Sequence, residues 1–143
     1  MWKTDNILLL SATDLEHDCK ELFGIPIFII GIGKVNAAVN TTRLINEYDP
    51  DLVINFGSCG NLKDYKIGDV LEVGSVINDI DTLGFNETEP IELKANSAIK
   101  CLTTDHMYDS AHDDYVESYM EKIDDCDIID MELFSIAESC RIA

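Results

Sequence analysis

Ile25-Pro26-Ile27-Phe28-Ile29-Ile30-Gly31-Ile32-Gly33-Lys34-Val35-Asn36-Ala37-Ala38 decides the fold of this chain. A continuous apolar run with β-branched residues reads as a strand buried on both faces, here Ile25 to Ile32. Two glycines then allow a tight turn, and the pattern changes to a helical period. A helix is expected over Lys34 to Tyr48, with Val35, Ala38, Val39, Thr42 and Ile45 on one stripe. Asp49-Pro50 stops it. Upstream, Ile7 to Ser11 is another apolar strand, and Ser11 or Thr13 is placed to cap a helix reaching about Phe23, with Asp14 and Glu16 in its first turn. Downstream, Leu52 to Phe56, Asp69 to Val76 and Ile99 to Thr103 read as strands. Residues 82–97 read as loop. Tyr115 to Ile123 is expected to be helical, Ile128-Ile129 to end a strand, and Met131 to Cys140 to form an amphipathic helix.

Alternation of strand and helix implies one α/β domain, residues 1–143, as a three-layer sandwich with a largely parallel, mixed central sheet. Ligands of such sheets sit at the carboxyl ends of the strands. Every polar motif of this chain falls at such an end.

The bulk composition narrows the partners. The chain has 143 residues, 46% hydrophobic and 27% charged, enough to bury a core. Its formal charge of −18 argues against nucleic-acid backbones and anionic membrane surfaces as partners. Five cysteines, an odd number with no CxxC spacing, fit reduced thiols in a cytoplasmic setting better than a disulfide framework or zinc knuckle. The apolar stretch in MWKTDNILLL is too short for a signal peptide, and the longest apolar run, Phe23 to Val35, is interrupted by glycines and Pro26.

Four motifs carry potential chemistry. Gly31-Ile32-Gly33-Lys34 lacks the third glycine of a dinucleotide fingerprint and the GK[ST] of a P-loop, so alone it reads as a close-packed turn. Asn55-Phe56-Gly57-Ser58-Cys59-Gly60 presents consecutive backbone N–H groups able to hold a ligand oxygen. It is not G-x-S-x-G, and His17, His106 and His112 stand in no fixed relation to it, which argues against a serine or cysteine hydrolase. Asp130-Met131-Glu132 places carboxylates at a strand-to-helix passage, suited either to a ribose diol or simply to a helix N-terminus. Glu16, taken alone, reads as a solvated helix acid.

Taken together, GIGKVNAA, INFGSCGNL followed by IGDVLEVGSVINDID, and IIDMELFSIAESC resemble the purine nucleoside phosphorylase and methylthioadenosine/S-adenosylhomocysteine nucleosidase superfamily in order and approximate spacing. The resemblance runs from about Ile7 to Cys140. It implies cleavage of a purine N-glycosidic bond, with 5′-methylthioadenosine or S-adenosylhomocysteine as substrate and adenine as product. It implies that Glu16 activates the attacking water, with Ser58 beside it. Glu132 would hold the ribose hydroxyls and Met131 would lie under the sugar, with Cys59 and Gly60 in the loop beside the ribose. Met107 stands where the family has a base-stacking phenylalanine, followed by Tyr108. Thr13, Ile32 and Leu83 would line the pocket for the 5′ substituent. No metal or organic cofactor is implied. A homo-oligomer, dimer or trimer/hexamer, is.

Asn55 stands where many bacterial-type phosphorylases carry a phosphate-gripping arginine, which favours hydrolysis over phosphorolysis. The family's last strand and helix, with an arginine and an aspartate that helps protonate the purine, find no match in this sequence. Asp105, His106 or a neighbouring subunit are the alternatives for that proton. The rival readings are a catalytically weak nucleoside-binding or regulatory protein and a phosphate-dependent phosphorylase.

Overall fold

The computed structural model describes residues 6–79, 89–93, 95–107 and 117–143. The apolar run at Ile7–Ser11 forms β1, buried from Leu8 onward because strands flank it on both sides. Its neighbours are β3 (Ile25–Ile29) and β4 (Leu52–Asn55), both parallel to it, with Leu9 opposite Ile27 and Ile54. A short β2 (Glu21–Leu22) pairs antiparallel with β3 through a two-residue turn at Phe23-Gly24, where both residues have positive φ. The order of this sheet is β2-β3-β1-β4.

The second sheet has the order β5-β9-β8-β6-β7. Its strands are β5 (Gly60–Asn61), β6 (Val73–Asn78), β7 (Ile91–Glu92), β8 (Ile99–Thr103) and β9 (Ile128–Asp130). The inner pairs β6-β8 and β8-β9 are parallel, and the edges β5 and β7 run antiparallel. The helices are α1 (Lys34–Tyr48), α2 (Glu117–Asp125) and α3 (Leu133–Ile142).

Successive residues of a strand face opposite sides, and the cores follow that rule. Cys101 and Ile128 point to α3, in a cluster with Val76 and Ala137. Leu102 and Ile129 point the other way, to Ile123 and Cys126 beside α2. The second sheet is therefore the middle of three layers. Helix α3 also lies beside α1 over the first sheet, where Leu8, Leu10, Ile30, Ala37, Leu44 and Ile136 form one core. Each fully buried leucine of this kind stabilises the fold by about 1.5–3 kcal/mol. Helix α3 thus belongs to both cores and fixes one sheet against the other.

The mixed α/β class agrees with the sequence expectation, and several details correct it. The helix expected from Thr13 to Phe23 is a single 3-10 turn, Asp14–Glu16, followed by the β2-β3 hairpin. Local capping signals were present, but the segment carries no apolar stripe, and Leu15 is 89% exposed. Helix α1 has the expected bounds but a rotated face: Ala37, Thr41 and Leu44 are buried, whereas Val35 and Val39 are exposed. Strand β3 is half-buried rather than buried, since it has the short β2 outside it. The stretch expected as loop contains the strand β7.

Candidate active site

Five strand ends converge on one rim. Strand β1 ends at Ser11, β3 runs into Gly31–Gly33, β4 into Gly57–Ser58, β8 into Thr104–Met107, and β9 into Asp130. The two acids singled out in the sequence both stand there.

Glu16 is delivered by the 3-10 turn after β1. Thr13 caps that turn, its Oγ1 accepting from the Leu15 N–H at 3.2 Å. The turn reverses the chain so that the carboxylate reaches the end of β4. Oε1 accepts from the Ser58 N–H at 2.8 Å and from Ser58 Oγ at 2.7 Å. Oε2 lies 3.0 Å from the buried Ser11 hydroxyl. The approach to the β4 turn is so close that a Cβ on Gly57 would sit 2.8 and 2.9 Å from the two carboxylate oxygens. Glycine at 57 is thus a requirement of the Glu16 position.

The sequence left open whether Asp130-Met131-Glu132 serves a helix end or a ligand. The structure divides the two tasks. Asp130 Oδ2 accepts from the backbone N–H of Glu132 at 3.2 Å and of Leu133 at 2.6 Å, and Thr103 Oγ1 accepts from the Phe134 N–H at 2.9 Å. Asp130 Oδ1 in turn accepts from Thr103 Oγ1 at 2.6 Å. These groups satisfy the N–H donors of Glu132, Leu133 and Phe134 at the start of α3. Glu132 is released from that duty. Its Oε1 accepts from the Gly33 N–H at 2.7 Å, at the start of α1. Gly33 has φ +88°, a left-handed conformation open to glycine, and this aims its N–H at the carboxylate.

Burial pushes the Glu132 carboxyl above its ordinary value; the Gly33 N–H opposes that, and the charges of Asp130 and Glu16 add to the rise. Burial likewise raises Asp130, against the bonds from Thr103, Leu133, Glu132 and Cys101. Partial burial of the thiol, and then the Asp130 charge, raise Cys59 above the ordinary thiol value.

Glu16, Ser58, Cys59, Asp130 and Glu132 wall one end of a cleft of about 1830 Å³ that follows β4 to Asp51 and α3 to Ala143. This exceeds the roughly 300–1,000 Å³ of ordinary ligand pockets, so a small ligand would occupy only part of it. Carboxylates recur along its walls, and among the described residues its one cation is Arg141, which is paired with Glu138. Thr13, Ile32, Gly60, Met107 and Met131 are not among its walls. Thr13 is spent on the turn cap, Gly60 pairs with Ile129 in β5, Ile32 and Met107 are exposed, and Met131 is half-buried. Leu83 and Tyr108 lie outside the described residues. Sequence reasoning missed Ser11 and Thr103. Both are hydroxyls at strand ends, a weak signal until their partners are known.

A mixed α/β scaffold thus brings two carboxylates, each held by a backbone N–H group, to converging strand ends. Comparison with known proteins gives the family. Residues 21–101 match the family model of the phosphorylase superfamily, and the chain belongs to that family. It is 30% identical over 140 residues to a 5′-methylthioadenosine/S-adenosylhomocysteine nucleosidase of Oceanobacillus iheyensis, covering 81% of this chain and 61% of that protein. A Marinomonas nucleosidase of the same name is 47% identical over 57 residues, 38% of this chain and 25% of the relative. The chain therefore spans only part of these relatives. Among solved structures, a Helicobacter pylori MTAN mutant with 5′-methylthioadenosine in its active site superposes with TM-score 0.75 at 20% identity, covering 98% of this chain and 80% of that one. A futalosine hydrolase from the same organism superposes with TM-score 0.72 at 21% identity, covering 95% and 78%. These likenesses establish the fold.

Proposed function

We propose that this protein is a purine nucleosidase that hydrolyses the N-glycosidic bond of a 5′-thio-substituted adenosine, 5′-methylthioadenosine or S-adenosylhomocysteine, without phosphate. The observation that carries the reading is the Glu16 carboxylate, fixed by Ser58 and Ser11 in the cleft that Glu132 also walls. Glu16 takes a proton from water as the oxygen bonds to the anomeric carbon. The C–N bond breaks, its electron pair leaves with the purine, the purine takes a proton from solvent, and Glu16 returns its proton to solvent after the sugar departs. Positive charge on the sugar is stabilised by the neighbouring carboxylates. Glu132 accepts hydrogen bonds from the ribose hydroxyls. Of the described residues that the resemblance gives to the sugar, base and 5′ substituent, Cys59 walls the cleft beside Glu132 and is assigned to the sugar side.

The acidic walls of the cleft favour water over phosphate as the nucleophile, since a phosphate site gathers cations. The named relatives act on methylthioadenosine and S-adenosylhomocysteine, and the futalosine hydrolase likeness makes the 5′ substituent the point to be decided by assay. Five free thiols support a reducing, cytoplasmic location. Exposed Val35 and Val39, one turn apart on α1, and exposed Ile32 beside them support a homo-oligomer.

The test is adenine release from both thioadenosines, with and without phosphate, for the wild type and Glu16→Gln. Phosphate-independent release that collapses in the variant is the expected result. No release by folded wild-type protein at high concentration would overturn the reading and leave a nucleoside-binding protein.

A further inference from the structure

Lysine is an odd choice for the first residue of a helix. The N-terminus of α1 carries partial positive charge, which favours acids, yet its first turn contains no acid and begins with Lys34. The side chain is also only 11% exposed, a costly place for an ammonium. Helix stability therefore gives no reason for this residue.

Its partners do. The Lys34 ammonium contacts Asp79 Oδ1, on a side chain 8% exposed, and lies 3.3 Å from Asp105 Oδ2. Among the described residues, no other ion pair has both side chains so enclosed. Asp79 follows β6 and its N–H donates to Thr103 O at 3.0 Å, while Asp105 belongs to the turn after β8. Lys34 itself belongs to the first sheet's strand-to-helix junction. It thus ties α1 to the carboxyl ends of two strands in the second sheet. One residue earlier, Gly33 ties the same junction to Glu132 on α3. The turn at 103–107 is held from its other side by Thr104, whose N–H donates to Asp130 O at 2.9 Å.

We propose that Lys34 is a positioning residue of the site: bridging Asp79 and Asp105, it fixes the Gly33 turn, whose N–H holds Glu132, against the strand ends of the second sheet, and so sets where the Glu132 carboxylate stands in the cleft. That this carboxylate faces a ribose rests on the nucleosidase reading. Lys34 touches neither Glu16 nor Ser58, so its loss acts on nucleoside binding and leaves water activation in place. That distinguishes it from a residue that merely holds the fold together.

The experiment compares wild type, Lys34→Met, Lys34→Arg and the double variant Lys34→Met/Asp79→Leu, which removes the buried carboxylate together with its partner. KM and kcat are measured with 5′-methylthioadenosine, and Kd by calorimetry with the same compound, in a Glu16→Gln background wherever it is consumed. Melting curves establish that each protein is folded. Lys34→Met is expected to raise KM and Kd about tenfold or more with kcat changed by less than about threefold, the pattern of lost uniform binding. Arginine should restore most of the affinity, and the double variant should recover stability without affinity. A fall in kcat at unchanged KM, or affinity that returns with stability in the double variant, would overturn the proposal. Wild-type protein that binds but does not turn over would sink the nucleosidase reading alone, with Lys34 then judged on Kd. Wild-type protein that neither binds nor turns over would overturn both.

Discussion

Gly57→Ala would separate the position of Glu16 from its presence. The methyl group would meet the Glu16 oxygens at 2.8 and 2.9 Å, where ordinary contact begins at 3.4 Å. The carboxylate must retreat by about 0.5 Å, because dispersion gives way to steep repulsion inside contact distance. Gly57 directly precedes Ser58, so retreat from the methyl is also retreat from the Ser58 N–H. Bonds now at 2.7 and 2.8 Å would stretch toward the limit of good geometry. Both bonds are exposed, so water replaces much of what the stretched bonds lose in stability, while the position of the carboxylate is lost. A general base misplaced by a fraction of an ångström to 1 Å loses on the order of 10²-fold in rate.

Stability should respond far less. The atom displaced is the far end of a flexible side chain, and Gly57 is exposed and does not have positive φ. Replacing glycine also stiffens the unfolded chain, which offsets about 0.4–1 kcal/mol of the loss. The expected outcome is a fall of about 10² in kcat/KM for adenine release, with the urea midpoint nearly unchanged. A variant with wild-type rate, within about threefold, would refute the claim that Glu16 must sit where Ser58 holds it.

Two further outcomes follow from the Asp130–Glu132 segment. On the proposed reading Glu132 binds the ribose diol as the carboxylate; its pKa is raised by burial first and by neighbouring charges next, so nucleoside affinity should fall as pH drops through a value above the ordinary 4.5. In Glu16→Gln, one of those charges is gone and the midpoint should move to lower pH; calorimetric titrations that show no such movement would count against electrostatic contact between the two acids. Thr103→Val keeps the shape of a fully buried side chain while removing the donor to Asp130 and the acceptor for Phe134 N–H, which should cost about 2–4 kcal/mol in urea unfolding. A loss below about 1 kcal/mol would mean that water replaces the hydroxyl.

What could be read from the sequence was what local chemistry punctuates. Helix α1 begins and ends where Gly33 and Asp49-Pro50 say it must, and Asp49 takes the left-handed conformation that closes it. Its buried face could not be read, because apolar side chains occur on several sides and the first sheet covers Ala37 and Leu44 rather than Val35 and Val39. The failed helix after β1 has the opposite lesson. Thr13 does act as a cap, as its residue type indicates, but the turn that it caps buries nothing and so does not propagate. At the site, Glu16 and Glu132 were identifiable as acids at strand ends. Their partners were not, since Ser58 lies 42 residues from Glu16 and Gly33 lies 99 residues from Glu132.

That separation has a chemical consequence. Each acid is supplied by one strand-end turn and held by the N–H of another, so neither can be moved without disturbing a second turn. Holding two carboxylates in one cleft of a chain with a formal charge of −18 is unfavourable, and their mutual charge adds to the rise that burial first gives the Glu132 pKa. On the proposed reaction, the strain is relieved when the sugar becomes cationic. Repulsion in the empty site turns into attraction at the transition state, and only interactions stronger there than in the ground state accelerate the chemistry. Removing either charge should therefore slow base release by more than it weakens binding of the neutral nucleoside. For Glu16 the whole effect belongs in kcat. For Glu132, which also grips the ribose, it divides between kcat and KM. A Glu132→Gln variant that raised KM alone would limit that acid to binding and leave Glu16 to stabilise the cation unaided.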